Sequence, residues 1–331
     1  MRTAFLGIGG YLPPRVVSND ELAEMMETSN EWIVERTGIR TRHWIDRECG
    51  ASDLAVPASR QALADAGVAP EEIDCIILAT LSPDHTFPGT ACFLQEKLGL
   101  KGIPALDIRN QCSGFIYSLA VADAFIKTGQ YRRILLVGAE VHSTGLDKTT
   151  RGRDVACLFG DGAGAAVLGP CEETERGVLS THLHADGRYA RELWIEVPGS
   201  RFFPQRLDVA MVEQGRHFPR MNGRRVFVEA VRRMPEVIGE ALAANSLSVD
   251  DIDLFVPHQA NQRITEAVAK QIGMPAEKVF SNIDKVGNTT AASIPLCLRD
   301  ACLQGKLQRG HLVLLASFGA GFTWAAALLR W

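Results

Sequence analysis

Short, continuously apolar runs alternate along this chain with longer stretches whose apolar residues recur every three or four positions. Cys75-Ile76-Ile77-Leu78, Ile134-Leu135-Leu136-Val137, Leu254-Phe255-Val256 and Leu312-Val313-Leu314-Leu315 are runs of the first kind. Unbroken by polar residues, they predict strands buried on both faces of largely parallel sheets. Between them lie helical stretches, such as the one that continues through Leu119, Ala122 and Ile126 and ends near Gly129. Alternation of the two patterns predicts an α/β fold.

The pattern also repeats. Ala62-Leu63-Ala64-Asp65-Ala66-Gly67 leads to Glu71-Glu72-Ile73-Asp74 and then an apolar run. Ala241-Leu242-Ala243-Ala244-Asn245-Ser246 leads in the same way to Asp250-Asp251-Ile252-Asp253, at a constant offset (253 − 74 = 179). Further on, Phe159-Gly160-Asp161-Gly162 and Phe318-Gly319-Ala320-Gly321 each lead into an alanine-rich strand. Two matches in one order predict two similar halves, 1–172 and 173–331. They join around residues 170–180, where the chain is polar and carries Pro170 and Gly177 as breakers.

The 331 residues exceed one ordinary core, in agreement with two halves. Lys+Arg 35 against Asp+Glu 39 leaves a net charge of -4, which gives no reason to expect a nucleic-acid partner. No apolar stretch approaches the roughly 20 residues that cross a bilayer, and the start lacks the apolar region of a secretory signal. The eight cysteines form no C-x-x-C pair, so neither a zinc site nor a disulfide framework is expected. Reduced thiols in the cytoplasm, without a metal or other cofactor, are the simplest reading.

Sites in parallel α/β sheets gather beyond the carboxyl ends of strands. Cys112 follows the apolar Ala105–Ile108 stretch and falls at the start of the next helix, flanked by Gln111, Ser113 and Gly114. Unpaired N–H groups and the helix dipole lower a thiol's pKa there, although most free cysteines are small buried apolar residues. Cys75, Cys157 and Cys297 fit that second description. His258 ends the strand that the offset matches to Ile76–Leu78, within reach of a Cys–His pairing. Asn288 precedes a helix expected over 293–304 and reads first as a turn former. The glycines of Phe318-Gly319-Ala320-Gly321 allow close approach and can present N–H groups to an oxyanion. Those of Gly160–Gly164 precede a strand instead of opening a helix, which excludes a dinucleotide fingerprint.

Cys112, His258 and Asn288 in these contexts resemble the catalytic set of the thiolase-fold condensing enzymes, and most closely the β-ketoacyl-acyl carrier protein synthase III family. Trp32-Ile33-Val34-Glu35-Arg36-Thr37-Gly38, Phe159-Gly160-Asp161-Gly162-Ala163-Gly164, His258-Gln259-Ala260-Asn261, Gly287-Asn288-Thr289 and Phe318-Gly319-Ala320-Gly321 carry the resemblance along the whole chain. It implies a thiolase-like α/β fold, with two pseudo-symmetric halves whose mostly parallel mixed sheets stack in αβαβα layers. It implies that Cys112 takes an acyl group from acyl-CoA, and that a malonyl thioester then loses carbon dioxide and attacks it. The N–H groups of Cys112 and Ala320 would hold the oxyanion, and His258 and Asn288 the enolate. Elongating relatives carry a second histidine where this chain has Asn288.

By the same resemblance Trp32, Arg36 and Arg153 bind CoA. Phe87 enters the acyl tunnel of the other subunit of a homodimer. Arg263 and Lys270 help to dock the acyl carrier protein, although Val228 stands where many relatives have a lysine, and Arg224 or Arg225 could supply that charge. Gln111 and the Ser82-Pro83-Asp84-His85 segment are more like relatives recruited to secondary metabolism, of alkylquinolone or polyketide type. Those load other acyl groups or use malonyl-CoA, so that role stands as the alternative to starting fatty acid synthesis.

Overall fold

Nine strands build two mixed sheets in the computed structural model, which describes residues 2–173 and 176–331. Thr174 and Glu175, in the expected join, lie outside the described residues. The first sheet contains β1 (Arg2–Tyr11), β2 (Cys75–Ala79), β3 (Ala105–Ile108), β4 (Ile134–Glu140) and β5 (Gly162–Cys171), in the order β1-β5-β4-β2-β3. The second contains β6 (Gly177–Ala185), β7 (Leu254–Pro257), β8 (Leu312–Gly319) and β9 (Thr323–Arg330), in the order β6-β9-β8-β7.

The two orders are the same arrangement. In each sheet the first pair and the second are antiparallel and the third is parallel. The register repeats as well: Cys75 faces Ile134 and Leu254 faces Val313, each 179 residues on. A parallel bridge from Phe255 to Val279 takes the place that β3 holds beside β2. The sheets are mixed, as expected, but four of these seven strand pairings are antiparallel. A continuous apolar run reports burial on both faces and carries no information about strand direction, which is why "mostly parallel" overstated the parallel share.

Helices complete five layers. α1 (Asn30–Thr37) lies outside the layers, beside a short antiparallel strand pair, Val16–Ser18 with Thr41–His43. α2 (Ala51–Ala66) lays Leu54, Ala58 and Ala62 on Ile76, Leu78 and Leu135, the outer face of the first sheet. α4 (Gly223–Ala244) and α5 (Gln262–Ile272) cover Phe255 and Leu314 on the outer face of the second. α3 (Gly114–Lys127) and α6 (Ser293–Leu303) fill the middle, where Phe115, Ile116, Leu119, Ile294 and Leu298 meet Cys75, Ile77, Val256 and Leu315. Alternate residues of one strand, such as Ile76 and Ile77, thus reach different layers. Burying each large apolar side chain contributes about 1.5–3 kcal/mol. Gly114 lets α3 start this deep: a Cβ there would meet the Cβ atoms of Ala79 at 3.0 Å and Ala291 at 3.5 Å.

Candidate active site

Both middle helices begin in the same unusual way. A 3₁₀ turn, Gln111–Ser113 before α3 and Thr290–Ala292 before α6, opens on a non-glycine residue with positive φ. Gln111 has φ 41° and Thr290 has φ 48°, a conformation that costs on the order of 1–2 kcal/mol in an L-residue. These turns are related by the same offset (290 − 111 = 179), which pairs Cys112 with Ala291 and Ala79 with His258. Each half therefore supplies one reactive group where the other half has alanine.

Cys112 is 7% exposed and sits in the 3₁₀ turn. Gly319, the last residue of β8, touches it so closely that a Cβ there would lie 2.4 Å from the Cys112 Cβ and 2.9 Å from Sγ. This contact brings the next amide into place: the N–H groups of Ala320 and of Cys112 itself both donate toward the sulfur. The thiol is nevertheless pushed up to about 12, first by burial and second by the charge of Glu140. That corrects the expectation of a thiol made acidic by its helix start. Removing the group from water outweighs two N–H donors, so the resting sulfur is a neutral thiol.

His258 follows β7 and is buried, and burial pushes its imidazole down to about 3, so it is neutral. Nδ1 lies 2.6 Å from the Ser293 hydroxyl oxygen, while Nε2 has no hydrogen-bond partner among the described residues. Asn288 is held by its backbone, which bonds Leu158 and Gly160 in a bridge beside Phe159. Its Oδ1 accepts the Thr290 N–H at 2.9 Å, which leaves the side-chain NH₂ to face a ligand. Thr290 Oγ1 in turn lies 2.7 Å from Nε2 of His142.

Two cavities meet at Cys112. One, of about 830 Å³, runs from Cys112, Asn288 and Phe318 outward to Trp32, Arg36 and Arg153. Trp32 and Arg36, four residues apart on α1, share a helix face, and the helix starts where the Ser29 hydroxyl accepts the Trp32 N–H. The Arg36 and Arg153 guanidinium carbons lie 4.6 Å and 5.0 Å from the Trp32 ring centre. Arg151 turns away to Asp147, at 2.6 Å. The second cavity, of about 590 Å³, is bounded by Cys112, Ala320, Leu81, Gln111, His142 and Trp194. Phe159 lines both.

Residues 106–187 match the family model described as 3-Oxoacyl-[acyl-carrier-protein (ACP)] synthase III, and residues 242–331 match the model of its C-terminal part. A Rhodospirillum centenum protein named beta-ketoacyl-[acyl-carrier-protein] synthase III is 50% identical over 335 residues, covering 100% of this chain and 99% of its own. The chain belongs to the β-ketoacyl-acyl carrier protein synthase III family. A crystal structure of a 3-oxoacyl-[acyl-carrier-protein] synthase III from Aquifex aeolicus superposes with TM-score 0.90 at 42% identity, covering 99% of this chain and 100% of that one. A priming β-ketosynthase of the R1128 polyketide pathway superposes with TM-score 0.90 at 33% identity, covering 99% and 96%.

Of the residues that the synthase III resemblance singled out, Cys112, Asn288, Trp32, Arg36, Arg153 and Arg263 line one cavity. Ala320 lines the other beside Cys112, and His258 stands behind them, tied to the start of α6 by Ser293. Phe87 and Lys270 line neither cavity. Phe87 is 81% exposed in the loop after β2, and Lys270 lies two helical turns beyond Arg263 on the outer face of α5. Among the described residues no group of three His, Cys, Asp or Glu side chains is placed to hold a metal ion. Among the described residues no helix is long and apolar enough to cross a membrane. Sequence reasoning missed Ser293, Phe159 and Glu140. For Ser293 a signal existed, because the offset places it opposite Gly114, two residues from the nucleophile.

Proposed function

We propose that the protein condenses an acyl-CoA primer with a malonyl thioester, through an acyl group held on Cys112, to start fatty acid synthesis. The observation that carries this reading is the pair of N–H groups, from Cys112 and Ala320, aimed at one sulfur where two cavities meet. The primer enters by the Trp32 cavity, with its adenine stacked on the indole and the Arg36 and Arg153 guanidinium groups beside the nucleotide. The Cys112 thiol gives its proton to Nε2 of His258 as the sulfur attacks the thioester carbonyl, the two N–H groups hold the oxyanion, and CoA leaves with that proton as its thiol. The acyl chain then lies in the second cavity.

A malonyl thioester, carried by acyl carrier protein docked at Arg263 and Lys270, follows by the first cavity. Loss of carbon dioxide leaves an enolate, whose oxygen takes hydrogen bonds from Nε2–H of His258 and from the Asn288 NH₂. Its carbon attacks the acyl group, and collapse of the second oxyanion returns Cys112 as the leaving thiolate. The chemistry asks for no metal or other cofactor. The halves 1–172 and 173–331 divide the work, with the nucleophile from the first and the enolate donors from the second. We place the enzyme in the cytoplasm as a homodimer. The exposed Phe87 and the unpaired edge of β3, with Leu106 outside the core, support that assembly.

The test is mass spectrometry of the intact protein after incubation with a series of acyl-CoAs. One acyl adduct on Cys112, discharged by malonyl-carrier protein, is expected. No adduct from any primer overturns the reading. A cavity of about 590 Å³ beside Cys112, with Gln111 and His142 in its wall, favours the specialised role as the second reading. Loading of only long or aromatic primers, or discharge by malonyl-CoA alone, would decide for it.

A further inference from the structure

The duplication gives the molecule a second copy of the nucleophile's turn, and that copy is filled from within. Ala291 stands where Cys112 stands in the other half, and Glu140 stands where Gly319 stands (319 − 140 = 179). Beside Cys112, Gly319 leaves open the space that an oxyanion needs. In the mirror position the side chain of Glu140 enters instead. The Ala291 N–H, counterpart of the Cys112 N–H, donates to its carboxylate. The Leu81 and Ser82 N–H groups donate to it at 3.2 Å, the Thr80 hydroxyl at 3.2 Å and the Ser82 hydroxyl at 2.5 Å. Glu140 is fully buried, and among the described residues no cation pairs with it.

We propose that Glu140 is a positioning residue for the nucleophile: its carboxylate permanently occupies the mirror copy of the oxyanion cradle and, when ionised, opposes a negative charge on Cys112. This rests on the reading of Cys112 as nucleophile. The geometry that couples the two residues is the turn they share. Gly114, two residues after Cys112, approaches the Ala291 Cβ, and Gly138, two residues before Glu140, would place a Cβ 2.2 Å from the Ala291 carbonyl oxygen. After burial, the charge of Glu140 is the strongest influence holding the Cys112 proton. The coupling is reciprocal, so a thiolate at Cys112 favours protonated Glu140. Burial pushes Glu140 itself up to about 7, so it changes charge near neutral pH.

The other charged and titratable groups around this seam are separately engaged. His142, two residues along, and His258 are kept neutral by burial. Asp161, next to β5, is raised by burial and accepts N–H groups of Ile45, His142 and Ser143. Asp84 accepts the Ser52 N–H and lies 3.9 Å from Lys97, and Arg109 lines the outer wall of the smaller cavity. None of them bonds the Glu140 carboxylate.

The experiment follows iodoacetamide alkylation of the Cys112 peptide in wild type, Glu140→Gln and Glu140→Asp between about pH 6 and 9, with acyl loading of wild type measured alongside. A lone thiol below its pKa gains about tenfold in rate per pH unit. Wild type is expected to fall short of that slope where Glu140 ionises. E140Q should recover the full slope and react about tenfold faster above neutral pH, the ratio that one unit of pKa produces. E140D, which keeps the charge, should follow wild type. A full slope throughout in wild type overturns the proposal, and needs no variant to fold. So does an E140Q profile that superimposes on wild type, or an E140D profile that follows E140Q. Failure of wild type to take any acyl group would instead overturn the nucleophile reading.

Discussion

His258 and Ser293 meet at 2.6 Å, ring Nδ1 to hydroxyl oxygen, where the end of β7 faces the first residue of α6. A hydroxyl both donates and accepts, so Ser293 serves either tautomer of the ring. With Ser293 donating to Nδ1, the proton sits on Nε2, the form that can hydrogen-bond an enolate. With Ser293 accepting, Nε2 is bare and can receive the thiol proton during acylation.

Ser293→Ala removes that support and leaves a buried Nδ1 unpaired. About a tenfold fall in condensation rate is expected, with about 1 kcal/mol lost in stability. Acyl loading and decarboxylation measured separately, beside a urea melt, check this. Loss of stability with both rates unchanged would count against a role for Ser293 in orienting the ring.

Gly319→Ala places a methyl group 2.4 Å from the Cys112 Cβ. The strand end and the 3₁₀ turn are both backbone-tight, so the nucleophile must move away from the Ala320 N–H. Overpacking of this kind costs about 1–3 kcal/mol. Acyl loading should fall by about 10²–10³, the usual loss for one oxyanion donor. Mass spectrometry of the adduct and a thermal melt read the two effects.

Acid stability follows from the buried histidines. His142 and His258 are both pushed down to about 3 by burial, so the unfolded chain takes up their protons first as pH falls. Their contribution is complete above about pH 6.5 and is lost as pH falls toward 3, at roughly 1 kcal/mol per pH unit each. Glu140 and Asp161, raised by burial, act in the opposite sense down to the ordinary carboxylate range. A difference between proteins isolates one ring: the stability gap between wild type and His142→Leu should change by roughly 1 kcal/mol per pH unit below about 6.5, in favour of the variant. Urea titrations at several pH values measure it, and a constant gap would show that His142 is not held neutral.

Phe87→Asp tests the assembly. An aromatic ring that is 81% exposed beside an unpaired sheet edge is expected to be covered by a second copy. Sedimentation should show wild type as a dimer and the variant shifted toward monomer at micromolar concentration. Two proteins of equal size would remove Phe87 from the interface.

Much of this site could be read before any coordinates, because the duplication wrote it twice. The offset placed His258 at a strand end and Asn288 before a helix, and the apolar runs marked strands that begin at the same residues in the structure and end one to four residues later. Strand direction was not readable, since burial on both faces makes the same apolar run in either sense. The state of the thiol was misread for a related reason. Position at a helix start is local, whereas the burial and the Glu140 charge that keep the proton on Cys112 come from elements far away in the chain.

The sequence by itself determined the two-half α/β plan, the family and the three side chains proposed to react, because apolar periodicity and motif order are properties of neighbouring residues. Only the tertiary structure decided what those side chains are poised to do. It set Gly319 against Cys112, turned the Ala320 amide toward the sulfur and left Nε2 of His258 without a hydrogen-bond partner among the described residues. It also put a carboxylate into the mirror copy of the cradle. Each of these depends on atoms brought together from positions more than a hundred residues apart or across the seam between halves, and no local pattern records such a contact.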